Sequence, residues 1–428
     1  MTGKLTDKRH DAADKRHNTR LLAPAGDWPS LRAAVEAGAD EIYLGLNQLS
    51  MRAFAKNFDI EELPEAVDFC HEHNVKVNLT VNTIIYDDEL CCTAGGTVRD
   101  ILSQAKEANV DAVICWDFAI IDICKELDIP VHISTQASVA NSLAAMFYQE
   151  QGAERIIFAR ELSIEQIRTI KNKLPDIEVE VFCHGAMCVS VSGRCFMSQE
   201  IFGKSANRGE CIQACRREYT VKEYALKDID REFELELGND YVMSPKDLCT
   251  LGFLEQLTPV ADVIKIEGRM RSPEYVKTVT EAYRSALDAI KDGKYTEDLR
   301  RQLIEKVKTV YNRGFSSGFF LGKPVDAWTD AYGSKATTQK IFIGPVKNYF
   351  ETAGAAEVHV QSDSLTVGDT IMFQGNKTGV FEQKLTSMQV EGRSVDKAVK
   401  GQHVGIKTDR KVRQNDKVFV IREVAEAP

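Results

Sequence analysis

The chain has 428 residues and a formal net charge of −10, with 43% hydrophobic and 28% charged residues. That length exceeds one compact core, so two domains are expected, and the composition is that of an ordinary globular chain. The acidic balance argues against indiscriminate binding to DNA or RNA, and no apolar run is long enough to span a bilayer as a helix.

Residues 1–19 read as a disordered charged tail, with DKRH at 7–10 and again at 14–17 and almost nothing apolar between. Such a segment has nothing to bury and does not order itself, so its histidines are read as part of a loose leader. With no apolar signal segment at the start and eleven cysteines in the chain, reduced thiols and a cytoplasmic location are expected.

From 20 to about 325 the chain alternates short β-rich runs with amphipathic stretches. Strands are predicted at 21–26, 41–46, 75–83, 112–117, 131–136, 155–160, 177–185 and 263–268. Helices are predicted between most of them, at 29–39, 61–73, 97–110, 119–128, 138–152 and 163–174, several opening after Asp or Ser caps. Short apolar strands separated by helices imply parallel pairing with both faces covered. Eight of them imply an α/β fold, a (β/α)8-type barrel serving as catalytic domain, with a cysteine-bearing insertion between the last two strands. A doubly wound open sheet is the alternative, but no GxGxxG follows the first strand.

The insertion carries HGAMCVSVSGRC and NRGECIQACR, which place Cys188, Cys195, Cys211 and Cys215 in loops. Soft thiolates gathered from loops suit zinc or an iron–sulfur cluster. Zinc ribbons usually use CxxC knuckles, and the first pair here is too widely spaced, so iron–sulfur is preferred. Arg194, Arg208, Arg216 and Arg217 surround the cysteines and are expected to lower their thiol pKa values. Cys249, in SPKDLC, is a spare ligand candidate whose plainer reading is a buried residue opening a helix. Cys183 reads as a packed strand residue, and Cys70, Cys91, Cys92, Cys115 and Cys124 as core thiols.

In such a barrel the active site lies at the carboxyl ends of the strands. That singles out Asn82, Thr135, Gln136, His184, Glu267 and Arg269. His184 is a candidate acid/base or a hydrogen-bonded structural histidine. Arg269 is a candidate anion clamp with Glu267 as its partner or a proton carrier, or the two form a buried pair tying strand to loop. Lys265 is a further candidate anion contact. HExxH and GxSxG are both absent, which leaves a cysteine-peptidase reading with His184 as base as the proteolytic alternative.

Residues 336–425 change character, with strands expected at 340–350, 355–361, 369–375, 403–409 and 416–423 and a short helix at 396–400. A small closed or nearly closed all-β barrel is expected. Residues 366–421 resemble the second domain of elongation factor Tu in the GD before a strand, SMQV before a turn, and VGIK followed by VRQNDKV. That resemblance implies an RNA- or ribosome-associated module, in a barrel that also serves as plain scaffold.

The opening LLAPAGDWPSLRAAVEAGADEIYLGL, the two cysteine blocks, SPKDL and VIKIEGRMRSPEYV occur in order, and with them the chain resembles the collagenase-like peptidase family. The resemblance implies oxygen-independent hydroxylation rather than the proteolysis of the family's historical name. Its substrates would be a tRNA wobble uridine, a ribosomal RNA cytidine or a quinone ring, with tRNA preferred here. It further implies a [4Fe-4S] cluster held by Cys188, Cys195, Cys211 and Cys215, with prephenate, a small carboxylate, as co-substrate. In the quinone branch the equivalent of Cys215 is missing and a downstream cysteine replaces it, which is why Cys249 matters. RNA contact would fall on the basic segments 194–217 and 265–271 and on Lys407, Arg410, Lys411 and Arg413.

Overall fold

The computed structural model describes residues 18–52, 55–90, 98–217, 244–323, 327–329 and 333–424, and the backbone alone of 226–227 and 234–235. The expected tail lies outside these residues apart from its end. There Thr19 is already packed, its Oγ1 donating to the carbonyls of Thr258 and Ala261, each at 3.1 Å. Cys91 and Cys92 also lie outside the described residues.

Eight strands close into a parallel barrel: β1 (Arg20–Ala25), β2 (Glu41–Gly45), β3 (Lys76–Thr80), β4 (Ala112–Cys115), β5 (Val131–Ile133), β6 (Ala153–Ile157), β7 (Glu178–Gly185) and β8 (Val263–Ile266). Closure comes from β8, which pairs in parallel with β1 on one side and β7 on the other. The open-sheet alternative is therefore excluded. Strands buried on both faces need near-continuous apolar runs, and β2 and β4 are buried at every position. Caps start several crossover helices: Asp27, Asp117, Asn141 and Ser163 each accept a backbone N–H of the first turn.

The lower half of the lumen is charged. Arg155 Nη1 donates to Glu41 at 2.8 Å and to Glu180 at 3.1 Å, and Lys265 Nζ donates to Glu180 at 2.9 Å. Arg20 reaches Glu41 at 2.9 Å, and Glu178 completes the set on Arg155. Three cations thus balance three carboxylates, which is the condition for keeping ions inside a protein. Lys265 is committed to this network at its Nζ.

The segment between β7 and β8 returns through a short strand, Asp247–Cys249, which pairs antiparallel with the end of β7. Cys249 thus ends a strand instead of opening a helix, because Leu248 and Cys249 find their backbone partners in Gly185 and His184.

The C-terminal region is antiparallel throughout. Its central strand, Thr338–Phe350, pairs with Lys417–Glu423 on one side and Ala355–His359 on the other. Val358, Phe373, Val404 and Val420 fill one core between the curled halves. The edge strand Gly379–Lys384 is drawn toward His403–Lys407 by Gln383, whose Nε2 donates to the Lys407 carbonyl at 2.8 Å. The helix expected at 396–400 is instead a strand, Lys397–Val399, paired with Ser364–Thr366. Five residues are too few to nucleate a helix, and the ladder supplies the hydrogen bonds a helix would have given. This region docks on the barrel's helices through Arg32 Nε to the Asn376 carbonyl (2.7 Å), Arg410 to Glu36 (2.8 Å) and Lys340 to Glu274 (2.8 Å).

Candidate active site

A cavity of about 130 Å³ opens at the carboxyl ends of the barrel strands. Thr80 and Asn82 reach it from β3, Ser134 to Gln136 from β5, Arg160 from β6 and Glu267 to Arg271 from β8. Cys188, Cys195, Cys211 and Cys215 line the same space from the insertion. The placement is what the barrel dictates, since eight βα loops converge there.

The described lining carries six basic residues, Arg52, Arg160, Arg216, Lys265, Arg269 and Arg271, against one carboxylate, Glu267. Glu267 Oε1 accepts from Arg52 Nη2 at 3.0 Å, and Arg160 stands 4.0 Å from its other oxygen. Burial pushes the Glu267 carboxyl upward, but Arg52 and Arg160 outweigh it and hold it down at about 2. Arg269 is not its hydrogen-bond partner. Arg269 Nη1 donates to Ser50 Oγ at 2.6 Å and Thr80 Oγ1 at 2.8 Å, and burial lowers the guanidinium to about 10. Gly45 makes room for it, since a Cβ there would stand 2.0 Å from Arg269 Nη1. Arg216, pulled down to about 10 by burial, donates to the Met187 carbonyl at 2.8 Å. Arg160 and Arg216 each keep a buried Nε–H without a partner. The site therefore holds a surplus of desolvated positive charge, suited to an anion.

His184 is not brought to this cavity. Alternation along β7 places Glu180 and Phe182 inward and predicts the same for residue 184. A bulge intervenes: Lys265 pairs with Phe182 while Ile266 pairs with His184, leaving Cys183 as the extra residue. His184 consequently packs among Tyr275, Tyr283 and Phe315, with ring centroids at 6.1, 5.5 and 5.5 Å. Burial depresses its pKa to about 3. It is a neutral core histidine here, away from the cavity thiols. Cys183 donates to the Lys265 carbonyl at 3.3 Å, and Cys70, Cys115 and Cys124 are buried.

The four insertion thiols are the cysteines with solvent access among those described, Cys188 exposed and the other three partly so. Asn207 Oδ1 accepts the Cys195 backbone N–H at 2.8 Å, tying the two cysteine blocks together. Gly193, at φ +74°, lets this loop press on Gln136, where a Cβ would come within 2.7 Å of its Cγ. The expected lowering of thiol pKa fails at Cys215: burial raises it, and Arg216 opposes burial without overcoming it. Cys188, Cys211 and Cys195 all act on Cys215 in the same upward sense, as neighbouring thiolates do. Among the described residues no three Cys, His, Asp or Glu side chains converge tightly enough for a single ion. A lone tetrahedral zinc needs sulfurs roughly 3.8 Å apart, from Zn–S bonds of about 2.3 Å. Four thiolates on one cavity wall are the donor set that a [4Fe-4S] cluster would take, so the chemistry of these residues fits that group. Cys249 lies elsewhere, buried beside Tyr283 with its thiol raised to about 11 by burial.

The basic segments expected to grip RNA are largely spent inside the fold. Arg208 forms a two-point pair with Glu89, and Lys265 and Arg269 are buried. Arg410 pairs with Glu36, Lys411 with Glu351, and Arg413 Nη1 donates to Thr378. Arg52 and Ser50 escaped the sequence reading because they sit in the loop after β2, beyond any strand end. Arg160, as the last residue of a predicted strand, was open to discovery by the rule that found Glu267.

A closed (β/α)8 barrel with a polar, cationic cavity at its carboxyl end, walled by four thiols from an insertion, defines the structural class of this chain. Within that class the chain belongs to peptidase family U32, matched by residues 26–330. It is 41% identical to a protein named collagenase from Porphyromonas gingivalis, over 93% of this chain and 97% of that one. It is 34% identical to the "tRNA hydroxylation protein P1" of Bacillus subtilis, over 92% of each chain. It is also 38% identical to a 23S rRNA 5-hydroxycytidine synthase of Escherichia coli, over 64% of this chain and 40% of that one. No helix among the described residues is long and apolar enough to cross a membrane.

Proposed function

We propose that the protein is an RNA-modifying hydroxylase that adds a hydroxyl to the 5-position of the tRNA wobble uridine, without molecular oxygen, at the expense of prephenate. The observation that carries this reading is the meeting of four insertion thiols and six basic side chains on one cavity. Relatives named for tRNA hydroxylation and for hydroxycytidine synthesis support RNA as the substrate. The same chain is similar to a protein named collagenase, but no histidine is among the described residues lining the cavity, and His184 lies outside it.

In this reading Cys188, Cys195, Cys211 and Cys215 hold a [4Fe-4S] cluster. When bound, such a cluster supplies one-electron transfer next to the substrate pocket. The chain's own residues do the rest. The surplus guanidinium groups hold the carboxylates of prephenate, and Arg269, fixed by Ser50 and Thr80, presents its remaining N–H groups in a set direction. Glu267, kept ionised by Arg52 and Arg160, offsets part of their charge and orients Arg52 through its hydrogen bond. The insertion adds its cysteine-bearing wall to the cavity at the strand ends.

The test is nucleoside mass spectrometry of tRNA from a deletion strain. The hydroxylated wobble nucleoside disappears, the wild-type gene restores it, and Cys195→Ala does not. A full complement of modified nucleosides in the deletion strain contradicts the reading.

A further inference from the structure

The helix Ser142–Glu150 is turned the wrong way for a surface helix. Leu143, Met146 and Phe147 are 72, 40 and 46% exposed, and Ala145 is its one buried residue. Amphipathic helices turn their apolar stripe inward, and here the stripe faces solvent. Phe118, 57% exposed at the start of the next-door helix, stacks parallel on Tyr148 at 6.1 Å and edge-on to Phe147 at 6.1 Å. Three rings and two aliphatic side chains thus form a continuous open surface, of the kind that marks a binding site in a monomer.

Its position is specific. The Phe118–Glu126 helix follows closely on the carboxyl end of β4, and the Ser142–Glu150 helix follows β5 through the turn at Thr135–Ala137, whose Thr135 and Gln136 line the cavity. Trp116 bridges rim and cavity: its Nε1 donates to the carbonyl of Asn82, a lining residue, at 3.0 Å. Arg194 lies 5.6 Å over the Trp116 ring, and its neighbours Gly193 and Cys195 line the cavity. Burial raises the Tyr148 phenol, and Arg194 is close enough for its charge to oppose that rise. A track therefore runs from the cationic cavity over Arg194 and Trp116 to Phe118, Tyr148 and Phe147.

We infer that this rim is a stacking platform for unpaired RNA bases adjacent to the nucleotide held in the cavity. The inference rests on the RNA-hydroxylase reading above. A base in the cavity must have its strand neighbours leaving over the rim, and single-stranded RNA is gripped by aromatic faces interleaved with arginine. The positive charge at the cavity end complements the backbone, while the rings accept any base by its π-face. A second copy of the chain or a protein partner would have no need of continuity with the cavity.

The experiment is fluorescence anisotropy of full-length, anaerobically purified protein with a labelled anticodon stem–loop RNA and with a fully paired hairpin stem, across a salt series. Phe118→Ala and Phe147→Ala should each weaken stem–loop binding about tenfold, as loss of one base stack does. They should leave the salt slope and hairpin-stem binding unchanged, while Arg194→Ala flattens the slope. Phe118→Tyr should retain affinity, which separates stacking from a folding defect. Wild-type stem–loop affinity in both alanine variants overturns the platform and leaves the hydroxylase reading standing. No stem–loop binding by the wild-type protein overturns both. A wild-type dimer that Phe147→Ala converts to a monomer with unchanged RNA affinity also overturns it, assigning the rim to self-association.

Discussion

Glu267 is paired with Arg52, its Oε1 3.0 Å from Arg52 Nη2, while Arg269, two residues along the same loop, turns away to Ser50 and Thr80. One strand end thus contributes a carboxylate and a guanidinium that serve different neighbours. Glu267→Gln removes the charge that offsets Arg52 and Arg160. Stability should fall by about 2 kcal/mol, less than the 3–5 typical of fully buried pairs because Arg52 keeps some solvent contact. In a double-mutant cycle, Glu267→Gln with Arg52→Gln should cost less than the sum of the single changes, and denaturant unfolding measures the coupling.

Gly45 carries a sharper expectation. A methyl there would meet Arg269 Nη1, Ser50 Oγ and Thr80 Oγ1 at 2.0, 2.6 and 2.9 Å. Gly45→Ala should therefore displace Arg269, destabilise by about 1–3 kcal/mol as overpacking does, and raise the KM for the anionic co-substrate more than it lowers kcat. An unchanged KM would remove Arg269 from the anion site.

The barrel was legible because most strands are short apolar runs and several crossover helices open on a side-chain cap, as with Asp27 and Ser163. Glu267 and the four thiols were legible because strand ends and cysteine blocks announce themselves. Sequence left His184 open between an acid/base and a structural role, and the structure takes the second because a one-residue bulge at Cys183 turns it from the lumen, which alternation does not reveal. The pairing of Glu267 with Arg269 was likewise an inference from adjacency along the chain. Arg52 reaches Glu267 across 215 residues, a contact that only the closed barrel creates. The exposed basic residues of the C-terminal region looked free in sequence because Glu36 and Glu351 are remote from Arg410 and Lys411.

The buried imidazole makes a pH prediction. His184 has a folded pKa of about 3, depressed by burial, against roughly 6.5 when unfolded. The unfolded chain binds the proton first, so the stability tied to neutral His184 is fully present above pH 6.5 and is lost as pH falls toward 3. His184→Phe should flatten the Tm-versus-pH curve between those values relative to wild type. Catalysis should show no limb near pH 6.5 that this variant abolishes. A lost acid limb in kcat would return His184 to proton transfer.

Cluster ligation separates Cys215 from Cys249. Anaerobic wild-type protein should contain roughly four irons per chain and absorb broadly in the visible, as a [4Fe-4S] site does. Cys188→Ala, Cys195→Ala, Cys211→Ala and Cys215→Ala should each lose iron. Cys249→Ala, at a thiol buried beside Tyr283, should keep it. Iron loss in Cys249→Ala with retention in Cys215→Ala would assign the fourth ligand to the Asp247–Cys249 strand and weaken the RNA reading. Stoichiometric zinc without iron would contradict the cluster altogether.

The most direct measurement incubates the anaerobically purified protein with tRNA from the deletion strain, with and without prephenate, and follows the wobble nucleoside by mass spectrometry. Our account predicts that the uridine gains one oxygen when prephenate is present, and that it gains none when prephenate is omitted or Cys215→Ala replaces the wild type. Unmodified tRNA under both conditions, together with cleavage of denatured collagen by the same preparation, would contradict it.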